Sequence, residues 1–176
     1  MIQIANNMKY ASPLILLLFL VFSQLLPAQT ATEYILLADR LFDGKELHEN
    51  WGVWVKGNTI YQVGPQADLT ADRDVRTIEL KGKTLLPGLI EGHSHLLLHP
   101  YDEVSWNDQV LKESHAERAI RAGVHAEKTL FAGFTTVRDL GSEGAGYTDV
   151  GVKESIDKGV IPGPRMLVAG PAIVAS

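Results

Sequence analysis

Short apolar runs alternate with turn residues over positions 33–86 of the chain. The runs are rich in β-branched and aromatic residues, a pattern that is typical of strands. Glycine and asparagine tolerate positive φ, so Gly57-Asn58 predicts a tight hairpin, and Lys81-Gly82 predicts a second one. The pattern indicates a small β sheet or half-sandwich, although an independent β module would show the same periodicity. The predicted strands are residues 34–38, 52–55, 59–63, 77–80 and 84–85.

The pattern changes beyond residue 86 to strands alternating with helices. The predicted strands fall within residues 85–98, 135–139 and 165–169, and the predicted helices at 108–132 and 152–159. The first strand is predicted to be buried. In the longer helix, apolar residues recur at spacings of three, four and seven and form one face, Ala116, Ala119, Ile120, Val124 and Phe131. This order of elements predicts a parallel sheet, in which the loops after the strand C-termini carry the chemistry.

The first of these strands ends in the pair His93 and His95. Because successive side chains on a strand alternate between faces, the two imidazoles point to the same side while Ser94 points away. Neutral imidazoles ligate divalent metals such as zinc, and two of them supply half of a tetrahedral shell. The pair is therefore a candidate metal site, although a bare His-x-His pair also occurs as a packing or hydrogen-bonding feature.

Residues 1–28 differ from the rest of the chain. Lys9 is their only charged side chain, and residues 14–22 form an unbroken apolar run of nine. This arrangement is typical of a secretory signal peptide, with cleavage expected after Ala28. The run is too short for a membrane-spanning helix, which takes ~20 residues. The sequence thus predicts an exported product, periplasmic or secreted, without a stable membrane anchor.

Composition narrows the classes of function. Hydrophobic residues make up 45% of the chain, enough for a globular core, and no cysteine is present to form disulfides. The formal net charge of −5, without a basic cluster, argues against a nucleic-acid surface. The oligomeric state is left open.

Two stretches carry a resemblance to a known family. LPGLIEGHSHL at 86–96 resembles the first barrel strand of the metal-dependent amidohydrolase superfamily, with Glu91 where aspartate is more usual. TTVRDLG at 135–141 resembles the second barrel strand of its imidazolonepropionase-like branch, which also contains Xaa-Pro dipeptidases. The resemblance implies a small β-sandwich-like domain at 29–86, followed at 87–176 by the first three strands of a (β/α)8 TIM barrel.

The resemblance also implies a site with one or two divalent metal ions, expected to be zinc, for which His93 and His95 are ligands. The family needs further ligands after the fourth, fifth and sixth strands and a catalytic aspartate after the eighth. The chain has no histidine after His125, and a full barrel takes ~250 residues. We therefore expect an inactive N-terminal fragment that contains no catalytic residue of its own.

Other residues near the predicted strand ends are candidates for the substrate side of the site. His99 would lie at the start of a βα loop, and Arg138 and Asp139 end the second barrel strand, from which side chains reach a barrel's active site. A loop position for His99 and a structural salt bridge for the other two are the alternatives. The remaining histidines and the tryptophans are interpreted as solvated or packing residues: His48, His115, His125, Trp51, Trp54 and Trp106.

Two functions stay open, and the resemblance implies the first, with a small molecule or a dipeptide as the expected partner. The first is hydrolysis of C–N bonds by the full-length enzyme, on an amide, a cyclic amide or a dipeptide. The second is a small exported, non-catalytic β module that binds metal weakly or not at all. A continuing reading frame with a later lysine and two later histidines would favour the first.

Overall fold

The computed structural model describes residues 32–71 and 75–173. The predicted signal peptide lies outside the described residues. The described chain divides into two compact units: one holds the residues up to Asp39 together with Glu49–Lys83, and the other holds Arg40–His48 and the residues from Thr84 onward. No helix within 32–71 or 75–173 is long and apolar enough to cross a membrane.

Five strands form the first sheet, in the order β2-β1-β3-β4, with β5 also paired to β1. They are β1 (Glu33–Phe42), β2 (Leu47–Glu49), β3 (Trp51–Lys56), β4 (Thr59–Pro65) and β5 (Arg76–Leu85). A single 3-10 turn, Gln66–Asp68, follows β4. Ile35, Trp54 and Leu69 form the buried cluster of this region.

The predicted hairpin at Gly57-Asn58 is confirmed. Lys56 pairs with Thr59 across it, and Gly57 has a φ of +59°. The second predicted hairpin, at Lys81-Gly82, is wrong because β5 continues through both residues as one strand. Gly82 has a φ of +72°, and its N–H donates to the Asp39 carboxylate at 2.8 Å. A glycine inside a strand can thus produce a local irregularity rather than a turn.

Three parallel strands form the second sheet, in the order β6-β7-β8. They are β6 (Leu89–Ser94), β7 (Phe134–Asp139) and β8 (Arg165–Val168). Helices α1 (Trp106–Leu111) and α2 (His115–Phe131) connect the first two strands, and α3 (Thr148–Asp157) connects the last two. This order confirms the predicted alternation of parallel strands and helices.

The predicted continuous helix at 108–132 is wrong, because it is interrupted before His115. Ser114 has extended backbone angles, and its hydroxyl accepts a hydrogen bond from the amide of Glu117 at the start of α2. Ser105 caps α1 in the same way through the amide of Asp108. A serine N-cap needs non-helical backbone angles, so a second cap within the segment ends the first helix.

The core of the second unit consists of small and medium apolar residues between the sheet and the helices. Its members are Leu96, Leu97, Ala122, Ala126, Val137, Ala145, Val152 and Met166. The apolar face predicted for the long helix is not the buried one, since Ile120 is 74% exposed and Phe131 80% exposed. The inward face carries Arg118, Ala122 and Ala126, and the two alanines allow α2 to approach closely.

The prediction that the first barrel strand is buried is also wrong. β6 lies at one edge of its sheet, and within the described residues only β7 pairs with it. Ile90 is consequently 72% exposed and Leu89 44% exposed, whereas Val137 in the central strand is fully buried.

Candidate functional site

His93 and His95 lie at the carboxyl end of β6, where the chain leaves the parallel sheet. Their ring centroids are 5.4 Å apart, with an interplanar angle of 64°. The structure therefore brings the two rings together, as the alternation of side chains predicts. His93 is exposed and His95 is half-buried, so the pair is open on one side. The backbone N–H of His93 donates to the carboxylate of Glu91 at 2.9 Å.

The loop that follows β7, which contains Gly141 and Glu143, lies beside the Nδ1 atom of His95. The carbonyl oxygen of Gly141 lies 3.4 Å from this nitrogen, and a carboxylate oxygen of Glu143 lies 3.7 Å from it. Because a carbonyl oxygen can only accept, a hydrogen bond here requires the proton on Nδ1, which would leave the Nε2 lone pair available. That is the tautomer in which His95 can bind a metal through Nε2.

Glu143 has a φ of +48°, in the left-handed region that a residue with a side chain rarely adopts. Its second carboxylate oxygen accepts a hydrogen bond from the indole N–H of Trp106 at 3.3 Å. Sequence reasoning missed Glu143. The signal was its position within a glycine-rich loop directly after a strand that ends in Asp139.

Arg138 and Asp139 point in opposite directions, as neighbouring residues of a strand do. Asp139 is buried, and its carboxylate accepts hydrogen bonds from the amides of Leu96 at 2.9 Å and Gly141 at 3.3 Å. Burial raises the pKa of Asp139, while these two amides act in the opposite direction. Asp139 thus ties the loop after β6 to the loop after β7. Arg138 is exposed and donates to the carbonyl of Gly92 at 2.8 Å.

His99 and His95 both line a cavity of about 410 Å³. One ring nitrogen of His99 lies 3.4 Å from the Glu113 carboxylate and the other 3.7 Å from that of Glu103. The other lining residues are Leu96, Leu98, Pro100, Tyr101, His125, Lys128 and Thr129.

His125, interpreted from the sequence as a solvated or packing residue, is part of the wall of this cavity. Its Nδ1 donates to the carbonyl of Leu96 at 3.0 Å, and burial lowers its pKa. His115 and His48 are outside the cavity. His115 is exposed at the start of α2, and His48 contacts Asp43 at 2.9 Å. Of the tryptophans, Trp54 is buried in the first sheet.

Arg118 is the second residue that sequence reasoning missed. It is fully buried, and its guanidinium donates to the carbonyls of Leu97 at 3.4 Å, Ser142 at 2.8 Å and Glu143 at 2.9 Å. It stands four residues before Ala122 and eight before Ala126, so the three lie on one face of α2. The spacing shows that they share a face, but the apolar pattern of the helix indicated another face as the buried one.

The histidine pair fits a divalent metal in the kind of ligand it offers, since two neighbouring imidazoles supply two nitrogen ligands. Among the residues that the structure describes, no group of three or more His, Cys, Asp or Glu side chains is arranged to hold a metal ion. His93 and His95 could therefore supply only part of a metal shell. Together, the parallel β/α arrangement and the histidines at the end of its first strand define a chain of the β/α class with a candidate metal-binding pair.

The chain belongs to the amidohydrolase family, whose sequence profile matches residues 84–176. The match begins at the end of β5 and includes strands β6 to β8 and helices α1 to α3. Two imidazolonepropionases are similar to part of this chain. The imidazolonepropionase of Geobacillus kaustophilus (strain HTA426) is 37% identical over 84 residues, which are 44% of this chain and 20% of that protein. The imidazolonepropionase of Geobacillus thermodenitrificans (strain NG80-2) is 33% identical over 87 residues, 46% of this chain and 20% of that one.

Solved structures cover more of the chain. A Xaa-Pro dipeptidase with methionine bound in its active site is 27% identical, with a TM-score of 0.68, and the match covers 81% of this chain and 34% of that one. The ochratoxinase of A. niger is 25% identical, with a TM-score of 0.66, covering 80% and 31%. The chain thus spans about a fifth of the curated relatives and about a third of these structures.

Proposed function

We propose that this chain is part of a metal-dependent hydrolase of C–N bonds. In this proposal a small β-sandwich-like domain at 29–86 precedes the first strands of a (β/α)8 barrel at 87–176. The observation that carries the proposal is the His93–His95 pair at the end of the first parallel strand, with Nδ1 of His95 facing the Gly141 carbonyl. The match to the amidohydrolase family supports it.

In this site His93 and His95 would hold one or two divalent metal ions. We expect zinc, because imidazole nitrogens are among its usual ligands in proteins. When bound, such an ion supplies Lewis-acid polarisation of the scissile carbonyl and lowers the pKa of a water molecule. The chain's own contribution is to orient the imidazoles: the strand sets their common face, and the Gly141 carbonyl keeps the proton of His95 on Nδ1. The other ligands must come from elsewhere in the enzyme.

Among the candidates for the substrate side, we favour His99, because it lines the cavity that also reaches His95. Asp139 has both carboxylate oxygens engaged by backbone amides, so its part in the site would be to fix the two loops. Arg138, which is exposed beside Gly92, would contact a substrate only from the outer face of the strand.

The proposed substrate is an amide, a cyclic amide or a dipeptide. The names of the similar proteins support this range, since one group is imidazolonepropionases and a similar structure is a Xaa-Pro dipeptidase. We propose that this chain alone is inactive, because it supplies only part of the metal shell.

The test is an assay of Xaa-Pro dipeptides and cyclic amides with added zinc, on this chain and on the full-length enzyme that contains it. We expect turnover only with the full-length enzyme, and its loss in His93→Ala and in His95→Ala. Turnover by this chain alone, or full-length activity that survives both substitutions, would contradict the proposal. A folded chain that binds no zinc would favour the non-catalytic β module.

We also propose that the protein is exported, on the basis of the single Lys9 and the apolar run at 14–22. N-terminal sequencing of the periplasmic or extracellular product should find a mature terminus near Gln29. Intact Met1 in the membrane fraction would argue for an anchor instead.

A further inference from the structure

Arg118 is a charged residue without exposed surface in the second unit. Its hydrogen-bond partners among the described residues are three backbone carbonyls, those of Leu97, Ser142 and Glu143. A buried guanidinium is costly unless its N–H groups are satisfied, and its planar fork can hold several acceptors in fixed positions. The three contacts therefore point to a role in fixing these carbonyls.

The carbonyls that Arg118 binds belong to the two loops that surround His95. Leu97 is two residues after His95, in the loop that follows β6. Ser142 and Glu143 come directly after Gly141, whose carbonyl lies 3.4 Å from Nδ1 of His95. Arg118 therefore connects the histidine's own loop to the loop that supplies its hydrogen-bond partner, without contacting the imidazole.

We propose that Arg118 is a positioning residue for His95. By holding the loops after β6 and β7 against each other, it keeps the Gly141 carbonyl and the Glu143 carboxylate beside Nδ1 and leaves Nε2 as the ligand atom. The inference rests on the proposed function in one respect, the assignment of His95 as a metal ligand.

The conformation of Glu143 supports this role. Its φ of +48° is unfavourable for a residue other than glycine, so the surrounding contacts have to maintain this conformation. Its carbonyl accepts from Arg118 at 2.9 Å, and its carboxylate accepts from Trp106 at 3.3 Å. Partners behind a ligating histidine fix the tautomer and the ring orientation, and their loss typically weakens metal binding by about 10- to 100-fold.

The test uses this chain with ¹⁵N-labelled histidine, and long-range ¹H–¹⁵N spectra report which ring nitrogen of His95 carries the proton. The wild type should show the Nδ1–H form. In Arg118→Met, which keeps the length but loses the N–H groups, we expect a mixture of tautomers like that of the exposed His115. Zinc affinity should fall by about tenfold or more. Arg118→Lys, which keeps the charge without the fork, should give an intermediate result.

The control is Arg165→Met, because Arg165 is an exposed arginine of β8 that donates to the Thr136 hydroxyl, away from both loops. It should leave the His95 tautomer and the zinc affinity unchanged. If Arg118→Met does not fold, the His95 tautomer and the zinc affinity of Arg118→Lys test the inference instead. A folded Arg118 variant in which His95 remains fully in the Nδ1–H form would overturn the inference. The tautomer is measured without metal, so it tests the role of Arg118 alone. Zinc binding by the wild type is a separate measurement, and it tests the proposed function.

Discussion

At Gly88, the backbone that leads into β6 passes over the side chain of Thr135 in β7. A Cβ atom on Gly88 would lie 2.1 Å from the hydroxyl oxygen of Thr135 and 2.7 Å from its Cβ. Since the Thr135 Cβ is itself within the overlap, rotation of that side chain cannot remove it. The glycine thus allows the chain entering β6 to lie close to the start of β7. The position of the strand that ends in the histidine pair depends on this close approach.

Gly88→Ala should destabilise the second unit by about 1–3 kcal/mol, the usual cost of overpacking. Gly92→Ala is the matched control, because a Cβ there would meet no atom within 4 Å. Its effect should stay within about 0.5 kcal/mol. Denaturant unfolding of the two variants measures the difference, and similar effects at both positions would mean that the contact with Thr135 is wrong.

Asp43 organises the turn between β1 and β2. Its carboxylate accepts from the amides of Glu46 at 2.9 Å and Lys45 at 2.8 Å and contacts the ring of His48 at 2.9 Å. The hydrogen bond from the Glu46 amide, followed by those from His48 and Lys45, holds the pKa of Asp43 well below its usual range. The folded turn therefore favours the ionised carboxylate.

The lowered pKa predicts a pH dependence of stability. The folded pKa is below the unfolded one, so the stabilising contribution is present above the unfolded pKa of about 3.9 and is lost as the pH falls through the folded pKa. The stability difference between wild type and Asp43→Asn should accordingly shrink as the pH falls below about 4. Urea unfolding at several pH values tests this. Asp102→Asn is the control, because Asp102 makes no hydrogen bond or ion pair within 32–71 and 75–173. A stability difference between wild type and Asp43→Asn that grows toward low pH would contradict the account.

At the scale of elements, α2 shows how an apolar pattern can indicate the wrong face. The most hydrophobic positions of the helix, among them Ile120 and Phe131, are exposed, and its buried face consists of alanines and Arg118. The small residues let the helix approach the sheet, and the arginine satisfies the carbonyls of two loops.

We therefore expect Ala126→Leu to destabilise the protein by about 1–3 kcal/mol, because Ala126 is fully buried and faces Gly163. Ile120→Gln, at a position 74% exposed on the same helix, should change stability by about 0.5 kcal/mol or less. Thermal unfolding of both variants decides between the two faces. The reverse order would restore the face predicted from the sequence.

The sequence was sufficient where one local rule determines the structure. Gly57-Asn58 produced the hairpin, and the alternation of side chains placed His93 and His95 together. It was insufficient where residues distant in sequence determine burial. Arg118 is buried because carbonyls of two loops accept its hydrogen bonds, and Ile90 is exposed because its strand lies at a sheet edge. The break before α2 is a local signal that was missed, because Ser114 is an N-cap residue.

For the whole molecule, the residues of the candidate site all belong to the second unit, from Thr84 onward. This is also the part that the amidohydrolase family profile matches. The buried cluster of Ile35, Trp54 and Leu69 belongs to the first unit. The proposed metal site would then lie within the second unit, in which the parallel sheet places the histidines and the loops contact them.

Zinc binding by this chain tests the central claim most directly. Equilibrium titration with metal analysis should show zinc bound by the wild type and by His115→Ala, because His115 is exposed at the start of α2 and is not part of the pair. Binding should be lost in His93→Ala and in His95→Ala, with circular dichroism unchanged. Unchanged zinc stoichiometry in both of these variants, or an equal loss in His115→Ala, would contradict the assignment of His93 and His95 as metal ligands.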